Sequence, residues 1–133
     1  MTRALVELRS AVRPFISQLT AGDVALVAVS GGADSLALAA AILAESKDLL
    51  IRPIAVTIDH QLQSGSAAQA EKVISQVKGL GYEDVISRQV VVDQSSGLES
   101  GARDARYAAL HEIASEVHAM HIYLGHTRDD QAE

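Results

Sequence analysis

The chain has 133 residues, 48% hydrophobic and 3% aromatic, with 17 acidic side chains against 11 Lys and Arg and a formal charge of −6. That is the length of one domain with enough apolar content for a packed core, which excludes a disordered chain. The lack of cysteine excludes disulfide stapling, zinc–thiolate sites and iron–sulfur clusters from this stretch, and agrees with a cytoplasmic protein.

The first predicted element is a helix over residues 3–19, where Leu5, Leu8, Val12, Phe15 and Leu19 recur at helical spacing. Pro14 is expected to kink or split it near Arg13. A turn at 21–23 leads to strand one, 24–29, nearly all apolar as a parallel strand buried on both faces should be. A helix follows over about 35–46. Strand two lies within 51–59, with its apolar run at 54–58. A polar segment, 60–66, precedes a helix over about 67–80, which Gly81 is expected to end. Strand three is placed at 85–92, a loop at 93–97 and a long helix at about 98–118. Strand four is placed at 121–125, and the last residues read as the start of another helix.

Strands alternating with helices of this length predict an α/β fold. It is a doubly wound, Rossmann-like parallel sheet with helices on both faces. Ligands of such sheets sit at the carboxyl ends of the strands. Segments 30–35, 59–60 and 125–126 all fall there, so one cleft is expected. The acidic excess lies in residues 66–133, and no basic face stands out of the kind nucleic-acid binders usually carry. The N-terminus lacks the apolar core of a signal peptide. No apolar run approaches the ~18 residues of a membrane span, so no membrane partner is expected.

The richest stretch is Ser30-Gly31-Gly32-Ala33-Asp34-Ser35, between strand one and the next helix. Two glycines allow a tight turn and close backbone approach to a ligand. A helix N-terminus offers free N–H groups and a favourable dipole to anions. Ser30 and Ser35 can donate to phosphate oxygens. A carboxylate inside a phosphate cradle repels phosphates unless a cation intervenes, so Asp34 argues for magnesium-bound polyphosphate. The stretch is not a Walker A loop, since no lysine precedes Lys47. It fits neither a dinucleotide fingerprint nor a nucleophile elbow. The plainer alternative is an ordinary helix start with Asp34 or Ser35 as N-cap.

Three further groups carry chemistry. His126 and Asp130 are four apart and share a face if a helix begins near Thr127. They suit a metal or a substrate amine, or they serve a capping box built on Thr127 and Asp130. Arg103 and Arg106, three apart on the long helix, suit phosphate recognition or a surface pairing with Glu99 and Asp104. Gly101 within that helix hints at close backbone packing. His60 either contacts a nucleotide or caps its loop. His111, His118 and His121 read as structural or exposed.

Together, segment 29–35, Asp59-His60, segment 99–107 and segment 125–133 resemble the N-terminal PP-loop domain of the tRNA(Ile)-lysidine synthetases, within the N-type ATP pyrophosphatases. The S-G-G-x-D-S loop marks the PP-loop superfamily. The G-H-x-x-D-D-Q-x-E and E-x-x-A-R-x-x-R-Y patterns make the resemblance specific. It implies a PP-loop ATPase fold over residues 1–133, with the 3–19 helix as lead-in. It also implies a last strand and C-terminal tRNA-binding domains that this stretch lacks, so the chain is read as a fragment whose activity alone is open. The implied reaction adenylates the wobble cytidine of an isoleucine tRNA with a CAU anticodon, using ATP and Mg2+, and joins free lysine to it with release of AMP and pyrophosphate. Val29, Ser30, Gly31, Gly32, Ala33, Asp34, Ser35, Ile58, His60 and Gly125 would bind the nucleotide, with Asp34 on the metal. Asp34, Arg103, His126 and Asp130 would be catalytic. Arg9 and Arg13 share a face, read as solvated, with an RNA contact as the alternative. A homodimer is left open.

The chain departs from that family at Thr127, where many members have a second histidine, and at Gln61, where a glycine is usual. Two other readings stay in view. One is a PP-loop tRNA thiolase of the 2-thiocytidine type, which carries cysteine pairs. The other is a non-catalytic ATP-binding module of the universal-stress type, whose glycine loop lies late in the chain.

Overall fold

The computed structural model describes residues 3–60, 65–92, 95 and 97–124. Its elements are α1 (Arg3–Ile16), β1 (Val24–Ala28), α2 (Ala33–Leu49), β2 (Arg52–Asp59), α3 (Ser66–Leu80), β3 (Asp84–Gln89), α4 (Leu98–Val117) and β4 (Ile122–Leu124). The four strands form one sheet in the order β3-β2-β1-β4. All three pairings are parallel, with Leu26 opposite Ile54 on one side and Ile122 on the other.

Strand β1 shows why the sheet is central. Its residues alternate between two cores. Ala25 and Val27 meet Ile42 of α2, Val73 of α3 and Ile16 of α1 on one face. Val24 and Leu26 meet Leu110 and Ile113 of α4 on the other. A strand covered twice must be apolar at every position, and Val24, Ala25, Leu26 and Val27 are all buried. Helices on both faces make the fold doubly wound, as expected. The chain leaves β1 toward β2 and later returns to its far side with β4, so the strand order reverses at β1. Such reversals are where α/β sheets open a ligand crevice.

Several boundaries differ from expectation for local reasons. The first helix ends at Ile16 instead of 19, and Pro14 lies inside it without splitting it. Proline removes only one N–H near the end of the helix, and the Ser17 N–H still reaches the Arg13 carbonyl at 2.9 Å. Residues 17–19 close instead with tighter bonds, Gln18 to Phe15 and Leu19 to Ile16. Strand three stops at Gln89 instead of 92. The Val90 N–H makes the last bond, to Asp59 at 2.9 Å, and Val91 is 89% exposed with no helix over it. Helix α2 runs three residues further than expected, to Leu49. Gly81 does end α3, at φ +121.

Arg9 and Arg13 are neither simply solvated nor aimed outward. Both bind Glu45 of α2, Arg9 Nε at 2.7 Å and Arg13 through two contacts at 3.1 Å. The Glu45 side chain is only 4% exposed. The hydrogen bond from Arg13, reinforced by Arg9, holds its carboxyl below the ordinary value of 4.5 despite burial. This triad fastens α1 across α2, beside the apolar contacts of Val12 and Ile16. On the far edge, Arg88 of β3 reaches Glu116 of α4 at 2.8 Å.

Removing Glu45 strands two guanidinium groups. Glu45→Ala is expected to cost about 2–3 kcal/mol, below the full penalty for a stranded buried charge because Arg13 reaches solvent. A carboxyl lowered on folding gives stability that is whole above pH 4.5 and is lost as the pH falls through its folded value. Urea midpoints measured from pH 6 down to 3 should therefore fall more steeply in the wild type than in Glu45→Gln.

Candidate active site

The carboxyl end of β1 runs directly into the glycine turn. The Val29 N–H still bonds the Val56 carbonyl at 2.8 Å, which holds the turn beside β2. Gly31 then takes φ +94. A Cβ there would lie 2.9 Å from Val73 Cγ2 and 3.0 Å from Gln69 Nε2, so α3 packs where any side chain would stand. Both the backbone angle and the close approach require glycine.

Ser35 braces the turn from within. It is buried, and its Oγ accepts from the Ser30 N–H at 3.2 Å and donates to the Gly32 carbonyl at 3.1 Å. Ser30 Oγ lies 3.2 Å from it, and the exposed Ser30 is the serine that faces solvent. The N-cap of α2 is Gly32, not Asp34 or Ser35, and no side chain caps it. The first-turn N–H groups of α2 are therefore open to an external acceptor. Ala33 and Asp34 sit exposed in that first turn.

Around this turn is a cavity of about 110 Å³ lined by Ala28, Val29, Ser30, Ser35, Val56, Ile58, His60 and Arg106. Its walls are mostly aliphatic, with two cationic or titratable groups among them, His60 and Arg106. Burial, aided by the Arg106 charge, holds the His60 pKa below 6.5, against the opposing pull of Asp59 and a backbone hydrogen bond to Ala102. The imidazole is therefore neutral at pH 7. His60 Nε2 and Arg106 Nε are both buried, with no hydrogen-bond partner among the described residues.

Of the residues expected to act, the structure gathers Val29, Ser30, Ser35, Ile58 and His60 on one cavity, with Gly31, Gly32, Ala33 and Asp34 in the turn at its edge. Arg103 is exposed, its guanidinium 5.8 Å from the Tyr107 ring. The arginine that enters the cavity is Arg106, which also stacks near Tyr107 at 5.1 Å. Three-residue spacing put both arginines on one helix face, but only packing decides which one points to the sheet. Gly101 is buried, in keeping with close packing of α4. His111, His118 and His121 are exposed. Gly125, His126 and Asp130 lie outside the described residues. No cluster of three His, Cys, Asp or Glu side chains able to hold a metal occurs among the described residues. A magnesium ion here would rest on Asp34 and on phosphate oxygens. That is how magnesium is commonly held, by one or two carboxylates plus substrate phosphates.

A glycine turn after the first strand of a doubly wound parallel sheet, opening an uncapped helix over an apolar cavity, is the arrangement in which α/β domains commonly receive phosphates. The family model described as the PP-loop domain matches residues 5–133, and the chain belongs to that family. It is 48% identical over 126 residues to the tRNA(Ile)-lysidine synthase of Thermobifida fusca, and 50% identical over 115 residues to that of Streptomyces coelicolor. These matches cover 95% and 86% of this chain, which spans 39% and 33% of the relatives' lengths. Among solved structures it is similar to the U34-tRNA thiolase NcsA of Methanococcus maripaludis, described with its [4Fe-4S] cluster. The TM-score is 0.78 at 17% identity, over 96% of this chain and 46% of that one. It is also similar to the NH3-dependent NAD synthetase of Campylobacter jejuni, with a TM-score of 0.66 at 13% identity, over 95% of this chain and 56% of that one. These two share the fold. No helix among the described residues is long and apolar enough to cross a membrane.

Two glycines separate strain from crowding. Gly22 has φ +90 with nothing near its missing Cβ, so Gly22→Ala should cost about 1 kcal/mol of backbone strain. Gly31→Ala adds overlap with Val73 and should cost about 3 kcal/mol. Chemical denaturation of the two variants side by side checks the difference.

Proposed function

We propose that this domain is the ATP-using catalytic part of a cytoplasmic tRNA(Ile)-lysidine synthase. The observation that carries the reading is the 48% identity to such an enzyme over nearly all of this chain. That stretch folds here so that the glycine turn, Ile58, His60 and Arg106 surround one cavity. The substrates would be ATP, free lysine and an isoleucine tRNA with a CAU anticodon. Most of the tRNA would be held by parts of the protein outside these residues, in keeping with an acidic chain. A homodimer is compatible with this arrangement and forms no part of the argument.

The parts divide the work as follows. Ala28, Val29, Val56 and Ile58 give the nucleoside an apolar seat. Ser30 and the open N–H groups at the start of α2 receive the phosphates, while Ser35 keeps the turn in shape. Asp34 would hold Mg2+, which offsets the charge of the polyphosphate when bound. Arg106 reaches the cavity and steadies charge as the bond between the α and β phosphates breaks. Arg103, one turn earlier on α4, adds a second positive charge for the departing pyrophosphate. No γ-phosphoryl group moves, so a Walker lysine is not needed. His126 and Asp130 would position the lysine amine or take its proton as it displaces AMP from the adenylated cytidine.

The test is lysine incorporation into unmodified isoleucine tRNA with a CAU anticodon, in the presence of magnesium and ATP, with AMP measured alongside. Incorporation with AMP release is the expected result. AMP without incorporated lysine would point to a sulfur donor or another nucleophile, although these 133 residues hold no cysteine to ligate a cluster. ATP binding without any AMP would leave a non-catalytic binding module. Asp34→Asn should abolish magnesium-dependent turnover while the melting temperature stays put. Arg106→Ala should lower turnover about 100-fold, a larger loss than its effect on ATP affinity. Arg103→Ala should show a smaller loss of the same kind. Single-turnover AMP formation compared with calorimetric ATP binding separates the two effects.

A further inference from the structure

Among the described residues, one buried ring nitrogen in the cavity lining, His60 Nε2, has no hydrogen-bond partner. His60 stands just beyond the end of β2 and lines the cavity together with Arg106 of α4, Val56 and Ile58. The backbone at Ala102 takes one side of the imidazole, and Nε2 has no partner among the described residues. With Nε2 unpartnered, we read the contact with Ala102 as one from Nδ1–H to its carbonyl, the tautomer that puts the lone pair on Nε2. The groups facing the ring pull both ways, Arg106 against a second proton and Asp59 toward one, and burial favours the neutral form. A buried acceptor without a donor is costly and rare in folded proteins. The walls around it, Ala28, Val29, Val56 and Ile58, fit a flat aromatic ring.

We propose that His60 Nε2 is a base-reading acceptor, which takes a hydrogen bond from the exocyclic amine of a 6-aminopurine nucleotide in this cavity and so selects adenine. The proposal rests on the nucleotide reading and adds a specificity residue to it. A purine with hydrogen in place of that amine leaves Nε2 unpaired. A purine with a carbonyl oxygen there sets lone pair against lone pair. Discrimination arises because the wrong base leaves the acceptor unpaired, which costs more than the matched bond gains.

The test compares dissociation constants of ATP, purine riboside triphosphate and inosine triphosphate with magnesium. The protein is used as wild type, His60→Leu and His60→Gln. The wild type should bind ATP about tenfold more tightly than purine riboside triphosphate, and inosine triphosphate more weakly still. In His60→Leu the ATP and purine riboside triphosphate affinities should fall within about twofold of each other. In His60→Gln, whose side-chain carbonyl accepts, part of the ATP preference should return. Because the readout is a ratio within each variant, a partly unfolded preparation shifts both affinities together. If His60→Leu does not fold, the wild-type ratio and the Gln variant decide. Equal wild-type affinities overturn the proposal, as does a His60→Leu variant that keeps the full preference, which would assign base reading to the backbone. Wild type that binds none of the three overturns the nucleotide reading and this proposal with it, a result distinct from binding without discrimination.

Discussion

Strand β1 is paired on both edges and covered on both faces, and the position of the glycine turn that follows it descends from that. Burial on all sides removes any freedom for the strand to slide or tilt. Its carboxyl end is therefore a fixed point from which the chain must turn sharply to begin α2. Gly31 supplies the turn, and Val73 of α3 occupies the space where a Cβ at that position would stand. Ser35 closes the loop back on Ser30 and Gly32. The turn is rigid because the sheet beneath it is rigid, which is what preorganised binding requires.

Around that fixed point the molecule uses charge in two ways. Away from the cavity, cations are spent on anions of the same chain: Arg9 and Arg13 on Glu45, Arg52 on Asp84, Arg88 on Glu112 and Glu116. These pairs fasten helices to helices, strand to strand and strand to helix. At the cavity, Arg106 lies by an imidazole and an aliphatic wall, with its Nε unpaired among the described residues.

Much of this was legible in the residues. The apolar runs of β1 and β2 and the glycine turn between β1 and α2 fixed element types, parallel pairing and the site's location within the fold. What sequence pattern missed depended on long-range packing. Arg9 and Arg13 looked like a solvated face because Glu45 lies more than thirty residues away, and nothing local signals such a triad. Choosing between Arg103 and Arg106 required the rotation of α4 about its axis, which the contacts of Leu110 and Ile113 determine. The extra length expected for β3 came from counting Val90, Val91 and Val92 as strand formers. Strand propensity does not hold without a covered face, and Val91 has none.

Helices α2, α3 and α4 all begin at glycine N-caps, Gly32, Gly65 and Gly97, with no side-chain cap on any of them. The positive potential at such helix starts comes from peptide dipoles, and peptide dipoles neither titrate nor mutate. An acidic protein can thus offer anions a favourable end without a basic patch, over the whole pH range in which the helices persist. Substitutions that extend or shorten a helix by a residue would disturb that end more than the loss of any single lysine.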